Sequence, residues 1–144
     1  SIGYVKEGIQ ETLKDVPASK VINAMPLYTR LWKEVPKTEA ELSEQAGTEA
    51  GKYSTKVTSE TVSMKRTDKV LEQFGAEAKW DSKTGQNYAQ WEKDGATYKI
   101  WLEDEKSIEE KLKVMKANKL AGTSVWKLGF ESQGLWELIL KYVN

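Results

Sequence analysis

The chain has 144 residues, with 22 basic and 22 acidic side chains and a formal net charge of +0. That length suits one ordinary domain or two small interlocked units, and the balanced charge supplies no long-range pull toward nucleic acid or an anionic membrane. Cysteine and histidine are both absent, which excludes disulfides, thiol nucleophiles, Cys- or imidazole-ligated metals and a Ser-His-Asp triad.

No apolar run approaches the roughly 18 residues of a membrane span, and the first residues lack the basic-then-apolar order of a signal peptide. A domain of this size buries about 65–70% of its unfolded surface, so it needs no covalent staple. Six tryptophans and six tyrosines are the richer clue. Such aromatics serve core packing, an interface, or stacking against flat ligands and sugar faces.

In "YVKEGIQETLKDVP" the side chains Val5, Ile9 and Leu13 share a helical face, with Val16 close to it, and Pro17 closes the segment. A strand follows from Lys20 to Leu27; Pro26, which cannot donate to a ladder, marks its end or its edge. From about Glu34 the chain turns charged and rich in small residues. It reads as an exposed excursion with one short helix through "EAELSEQ". Ser63 is predicted to cap a helix carrying Met64, Thr67, Leu71 and Phe74, with Gly75 at its end.

Two turns come next, one about Asp81 and Gly85 and one at Asp94–Gly95, a strong hairpin signal. Their flanks are predicted antiparallel strands, with Tyr88 on one face and Ala89 and Trp91 on the other. Residues 34–98 therefore read as a compact α+β unit between segments 1–33 and 99–144. In the last segment Ser107 and Glu110 form a capping box, and Ile108, Leu112 and Met115 supply a buried stripe. "TSVWKLGF" is a predicted strand and "GLWELILKYV" a last helix.

Outside the middle unit the order is helix–strand, then helix–strand–helix. This is a parallel α/β rhythm interrupted by an insertion, with too few strands for a closed barrel or a full doubly wound sheet. The two core strands end alike. The first delivers Tyr28, Arg30 and Trp32; the second delivers Trp126, then Phe130 and Glu131. In α/β folds, ligands gather beyond the carboxyl ends of parallel strands. Arg30 either faces such a cleft or pairs with a surface acid; Trp126 either meets a ligand or packs.

"KVINAMPLYTRLW" and "YKIWLEDEKSIEEKLKVMKANKLAGTSVWKLGFES", with the insertion between them, resemble the carboxyl-terminal portion of a family 18 glycoside hydrolase. The likeness is to the chitinase-like, peptidoglycan-active branch of spore-forming Gram-positive bacteria, and it covers nearly the whole chain. The resemblance implies an α/β fold: the C-terminal part of a TIM (β/α)8 barrel, interrupted by the small α+β insertion domain. Strand seven would run over 20–27 and strand eight over 121–128. Helices over 4–14, 107–118 and 134–143 would flank them. It further implies that Trp126 floors the subsite where the sugar is distorted, that Tyr28, Arg30 and Trp32 lie near the cleft, and that Glu131 faces substrate. Glu103 and Asp104 match an acidic pair that shapes the loop and helix start rather than donating a proton.

Family members cleave β-linked N-acetylglucosamine polymers through a "DxxDxE" sequence whose glutamate protonates the glycosidic oxygen, while the substrate's acetamido group attacks the anomeric carbon. No such sequence occurs in these 144 residues. The resemblance thus implies a piece of a retaining glycosidase, itself without catalytic residues, bound metal or cofactor. Its parent would be secreted to the cell wall or spore envelope. The expected partners are an N-acetylglucosamine-containing polysaccharide, the missing N-terminal barrel half, and a second copy meeting exposed strand edges. Neither nucleic acid nor membrane is among them. Two other readings stay open: a non-catalytic carbohydrate-binding or scaffold domain descended from such an enzyme, and a freestanding α+β domain whose aromatics form a protein interface.

Overall fold

A computed structural model describes residues 1–143. Helix α1 (Ile2–Thr12) leads through a short 3-10 turn into strand β1 (Ile22–Pro26). Strand β7 (Gly122–Trp126) lies parallel to β1, with Ile22 opposite Gly122 and Pro26 opposite Trp126. Alternation then sorts the side chains. Met25 and Val125 turn inward, while Ile22, Ala24 and Trp126 stay in solvent on the other face.

The inward face packs on α4 (Glu105–Ala117) and α5 (Leu135–Val143), and Met25, Ile108, Leu112, Met115 and Leu135 make the centre of that core. Helix α1 adds a smaller cluster, setting Ile2 and Ile9 against Val114 of α4. The stripe predicted at Ile108, Leu112 and Met115 is buried throughout.

After the single residue Leu27 the chain enters β2 (Tyr28–Pro36), a strand of a second sheet. This sheet is antiparallel. Its order is β3 (Thr55–Ser63), β2, β6 (Ala96–Trp101), β5 (Gln86–Lys93) and β4 (Lys79–Asp81). Helix α3 (Thr67–Phe74) covers one face, with Val70 against Leu31, Val62, Ala89 and Ile100. Gly75 ends α3 in the left-handed conformation, and the β5–β6 hairpin turns at Asp94 and Gly95, both with positive φ, as the sequence predicts. The short helix α2 (Glu39–Glu44) also forms, under a capping box from Thr38 and Glu41.

Several expectations are corrected. The barrel reading fails: among the described residues the fold is α/β with two small sheets, one parallel and one antiparallel, and five α-helices, with no closed or curled barrel. A barrel needs every strand paired on both edges with a common tilt and shear. Here β1 and β7 pair only with each other. The stretch after Pro26 is the long strand β2 rather than a loop beyond a strand end, and the residues that follow the excursion, left without an element in the sequence reading, form β3. Ser63 does not cap α3. It is the last, buried residue of β3, paired with Tyr28, and α3 starts only at Thr67. The capping box of α4 lies one turn earlier than predicted: Asp104 is the N-cap and accepts from the Ser107 N–H at 2.8 Å, while Ser107 Oγ accepts from the Asp104 N–H at 3.0 Å.

Candidate functional site

Strand β2 alternates between the two faces of its sheet. Leu31 enters the core beneath α3, so Tyr28, Arg30 and Trp32 line up on the opposite face, which no helix covers among the described residues. Arg30 is held flat there. Its Nε and Nη2 donate to Ser59 Oγ at 3.1 and 2.6 Å, and Nη1 donates to Thr61 Oγ1 at 2.9 Å. Its guanidinium carbon stands 6.0 Å from the Trp32 ring centre. The partners are neutral hydroxyls, and the surface-acid alternative for Arg30 finds no ion pair among the described residues.

These side chains border a hollow of about 220 Å³ whose other walls include Pro26, Trp101 and Glu103. Trp126 is 69% exposed and stands opposite Pro26 in the parallel pair, but it is not among the walls of this hollow. Glu131 does not join them. Its carboxylate turns back to accept from the Gly129 N–H at 2.6 Å. Its own backbone N–H, then that of Gly129, hold its pKa below the ordinary carboxyl value.

A general acid at neutral pH needs a raised pKa. The carboxyls with a clear departure, Glu41 at about 2 together with Asp81, Glu109 and Glu131, all go down. The arrangement offers flat apolar faces and directed N–H donors, which suit a sugar ring with its equatorial polar rim. No group of acidic side chains able to hold a metal ion occurs among the described residues.

Two further wall residues, Trp101 and Gln86, carry no mark in the sequence reading, and Glu103 was marked there only as part of an acidic pair at a helix start. Trp101 ends β6 on the open face, and Thr29 Oγ1 donates to its carbonyl oxygen. Gln86 and Glu103 lie beneath: Gln86 Nε2 donates to Leu102 O at 3.2 Å and to Glu103 Oε1 at 3.0 Å, and Ser107 Oγ and Lys111 Nζ donate to Glu103 Oε2. A signal for Trp101 was present in "TYKIWL", where Ile100 in the core forces its neighbour to the other face.

The chain belongs to the glycosyl hydrolases family 18, whose family model matches residues 3–131. It is 25% identical over 140 residues to a cortical fragment-lytic enzyme of Bacillus anthracis, covering 97% of this chain and 29% of that protein. Among solved structures it is similar to the spore cortex-lytic enzyme SleL of Bacillus megaterium QM B1551 (TM-score 0.75, 24% identity, 99% of this chain and 30% of that one). It is also similar to a chitinase from Chromobacterium violaceum (TM-score 0.71, 20% identity, 94% of this chain and 36% of that one). The chain thus spans about 30% of the length of curated relatives that it matches.

Proposed function

We propose that this chain is one part of a retaining glycosidase acting on β-linked N-acetylglucosamine polymers, with spore cortex or other peptidoglycan favoured over chitin by its cortex-lytic relatives. It supplies sugar-binding surface rather than proton transfer: Trp126 as a platform, Tyr28, Arg30 and Trp32 as the wall beside it. The carrying observation is that Arg30, with no ion-pair partner among the described residues, shares a hollow with Tyr28 and Trp32, while Trp126 stands exposed on the neighbouring strand pair. Glu131 has a supporting place at the rim of the loop after β7. The relatives' names also support a cell-wall or spore-envelope setting.

Alone, the chain is inactive. The "DxxDxE" acid is absent from its sequence, and general acid catalysis contributes about 10²–10⁴-fold. Residual sugar contact, at about 1 kcal/mol for one aromatic platform, leaves binding millimolar or weaker. The test is a labelled N-acetylglucosamine oligomer, followed for cleavage and, by amide NMR shifts, for binding. Shifts around Tyr28 and Arg30 that weaken in Trp126→Ala, without cleavage, are expected. Turnover above the Trp126→Ala control refutes the inactive reading, and an unshifted spectrum at saturating oligomer refutes the binding one.

A second reading is a non-catalytic carbohydrate-binding domain descended from such an enzyme. It predicts that the sequence adjoining this chain in the longer protein lacks the acidic motif, whereas the enzyme reading requires it.

A further inference from the structure

Helix α3 is too short to cover its side of the antiparallel sheet. Its eight residues span about 12 Å, whereas the nine of β2 and the nine of β3 each extend about 30 Å. Beside the end of the helix a hollow of about 310 Å³ opens on that face. Its walls include Leu31 and Lys33 of β2, Thr58 and Glu60 of β3, Tyr98 of β6 and Phe74 of α3. Leu31 and Lys33 alternate with Arg30 and Trp32 along β2, so the sheet itself separates this hollow from the one at Tyr28 and Arg30. Leu31 gives it an apolar floor. The rings hold one another in place: Phe74 stands 5.2 Å from Tyr98 and 5.0 Å from Trp91, and Trp91 stacks on Tyr98 at 5.6 Å. The apolar side is therefore built before any ligand arrives.

Two of the walls are charged, one with each sign. Register sets Thr58 opposite Lys33 and Glu60 opposite Leu31. Lys33 and Glu60 are thus diagonal neighbours, about 7 Å apart at their Cβ atoms. They do not pair with each other, and neither has an ion pair among the described residues. Lys33 leans over Tyr98 instead, with Nζ 5.7 Å from the ring centre. The nearby lysines are engaged elsewhere. Lys56, next along this face of β3, pairs with Glu41 at 2.7 Å, and Lys93, 5.0 Å from the Phe74 ring centre, is not a wall of the hollow. A simple anion would satisfy Lys33 and face Glu60; a simple cation would do the reverse. A small group carrying both charges satisfies both.

We propose that this hollow binds an α-amino-acid zwitterion with an apolar side chain. Lys33 donates to its carboxylate, Glu60 accepts from its ammonium, and the side chain lies on Leu31 against Phe74 and Tyr98. The volume suits one small molecule rather than a polymer. The site does not depend on the carbohydrate reading, because it lies on the other face of the sheet.

The experiment titrates the chain with leucine, leucinamide and N-acetylleucine, reading affinity from amide NMR shifts. Leucinamide lacks the carboxylate and N-acetylleucine lacks the ammonium. Leucine is expected to shift the amides of Leu31, Thr58 and Phe74 with millimolar affinity. Each analogue should bind about threefold more weakly, the effect of losing one exposed ion pair. Lys33→Met weakens leucine and N-acetylleucine by about the same factor and leaves leucinamide unchanged. Glu60→Gln weakens leucine and leucinamide and leaves N-acetylleucine unchanged. Both side chains are exposed, so neither change enters the core. If the three compounds bind alike, or if either variant weakens all three equally, the paired charges read nothing and the proposal falls. It falls too if glycine binds as tightly as leucine, which leaves the rings no part, or if tens of millimolar leucine shift no amide.

Discussion

Glu103 and Lys111 are nearly sealed from water, with 9% and 5% of their side-chain surfaces exposed, and they pair with each other. Two charges leave water at a cost of several kcal/mol each, recovered only where geometry and further hydrogen bonds are good. Here the Glu103 carboxylate has three side-chain donors: Gln86 from β5 and Ser107 and Lys111 from α4. The pair thus fastens the antiparallel sheet to the helix under the parallel one. Removing one partner strands the other. Lys111→Met is expected to lower unfolding free energy by about 3–5 kcal/mol, and the double variant with Glu103→Leu to recover most of that loss, both read from urea denaturation. A double variant as unstable as the single would show that packing, rather than the orphaned charge, sets the cost. The sequence showed Glu103 as half of an acidic pair before a helix. Its partner Lys111 was invisible, because a lysine on a helix normally reads as solvated and only the tertiary packing of α4 buries it.

Helix α4 is the element on which both sheets depend, and its start is set by Asp104. The carboxylate accepts from the Ser107 N–H at 2.8 Å and from Asn87 Nδ2 at 2.7 Å, so one side chain caps the helix and ties it to β5. Asp104→Ala should cost about 1–2 kcal/mol, as lost N-caps do. Glu110→Ala, which removes the acid of the box predicted from the sequence, should stay within about 0.5 kcal/mol as a surface change. Thermal unfolding of the two variants distinguishes them, and equal losses would move the cap back to Ser107. The sequence offered two overlapping boxes in "EDEKSIEE", Asp104 with Ser107 and Ser107 with Glu110. The serine fits either, and what decides is Asn87, some seventeen positions away, which no local pattern contains. The same limit hid β3. "TKVTSETVS" is polar enough to pass for a loop, since only Val62 and Ser63 at its end are buried and the rest lies at the sheet edge. By contrast Asp94–Gly95 and Gly75 were legible because their backbone conformations are required locally.

At the scale of the molecule, periodicity revealed which segments are helices and strands but not how many strands close around a centre. Two strands with the rhythm of a parallel α/β protein do pair in parallel, yet the sheet they make has only those two members. Both outer edges of that sheet therefore carry backbone groups with no partner strand, and its outer face shows Ile22 at 59% and Trp126 at 69% exposure, with Leu128 at 72% beyond them. Water-exposed apolar surface of this kind is worth about 25 cal/mol per Å² when covered, and an open strand edge is a template for another chain. The expected outcome is that this chain alone self-associates through β1 and β7, giving by light scattering a concentration-dependent mass that approaches twice its 16.3 kDa. Ile22→Lys puts a charge on the exposed face without entering the Met25–Leu112 core, so it should hold the chain at monomer mass while its unfolding curve stays near wild type. A wild-type monomer at every concentration would mean that the outer face needs no cover. A dimer that Ile22→Lys leaves intact would move the contact elsewhere, and the exposed Leu140 and Val143 of α5 are the next apolar surface to test.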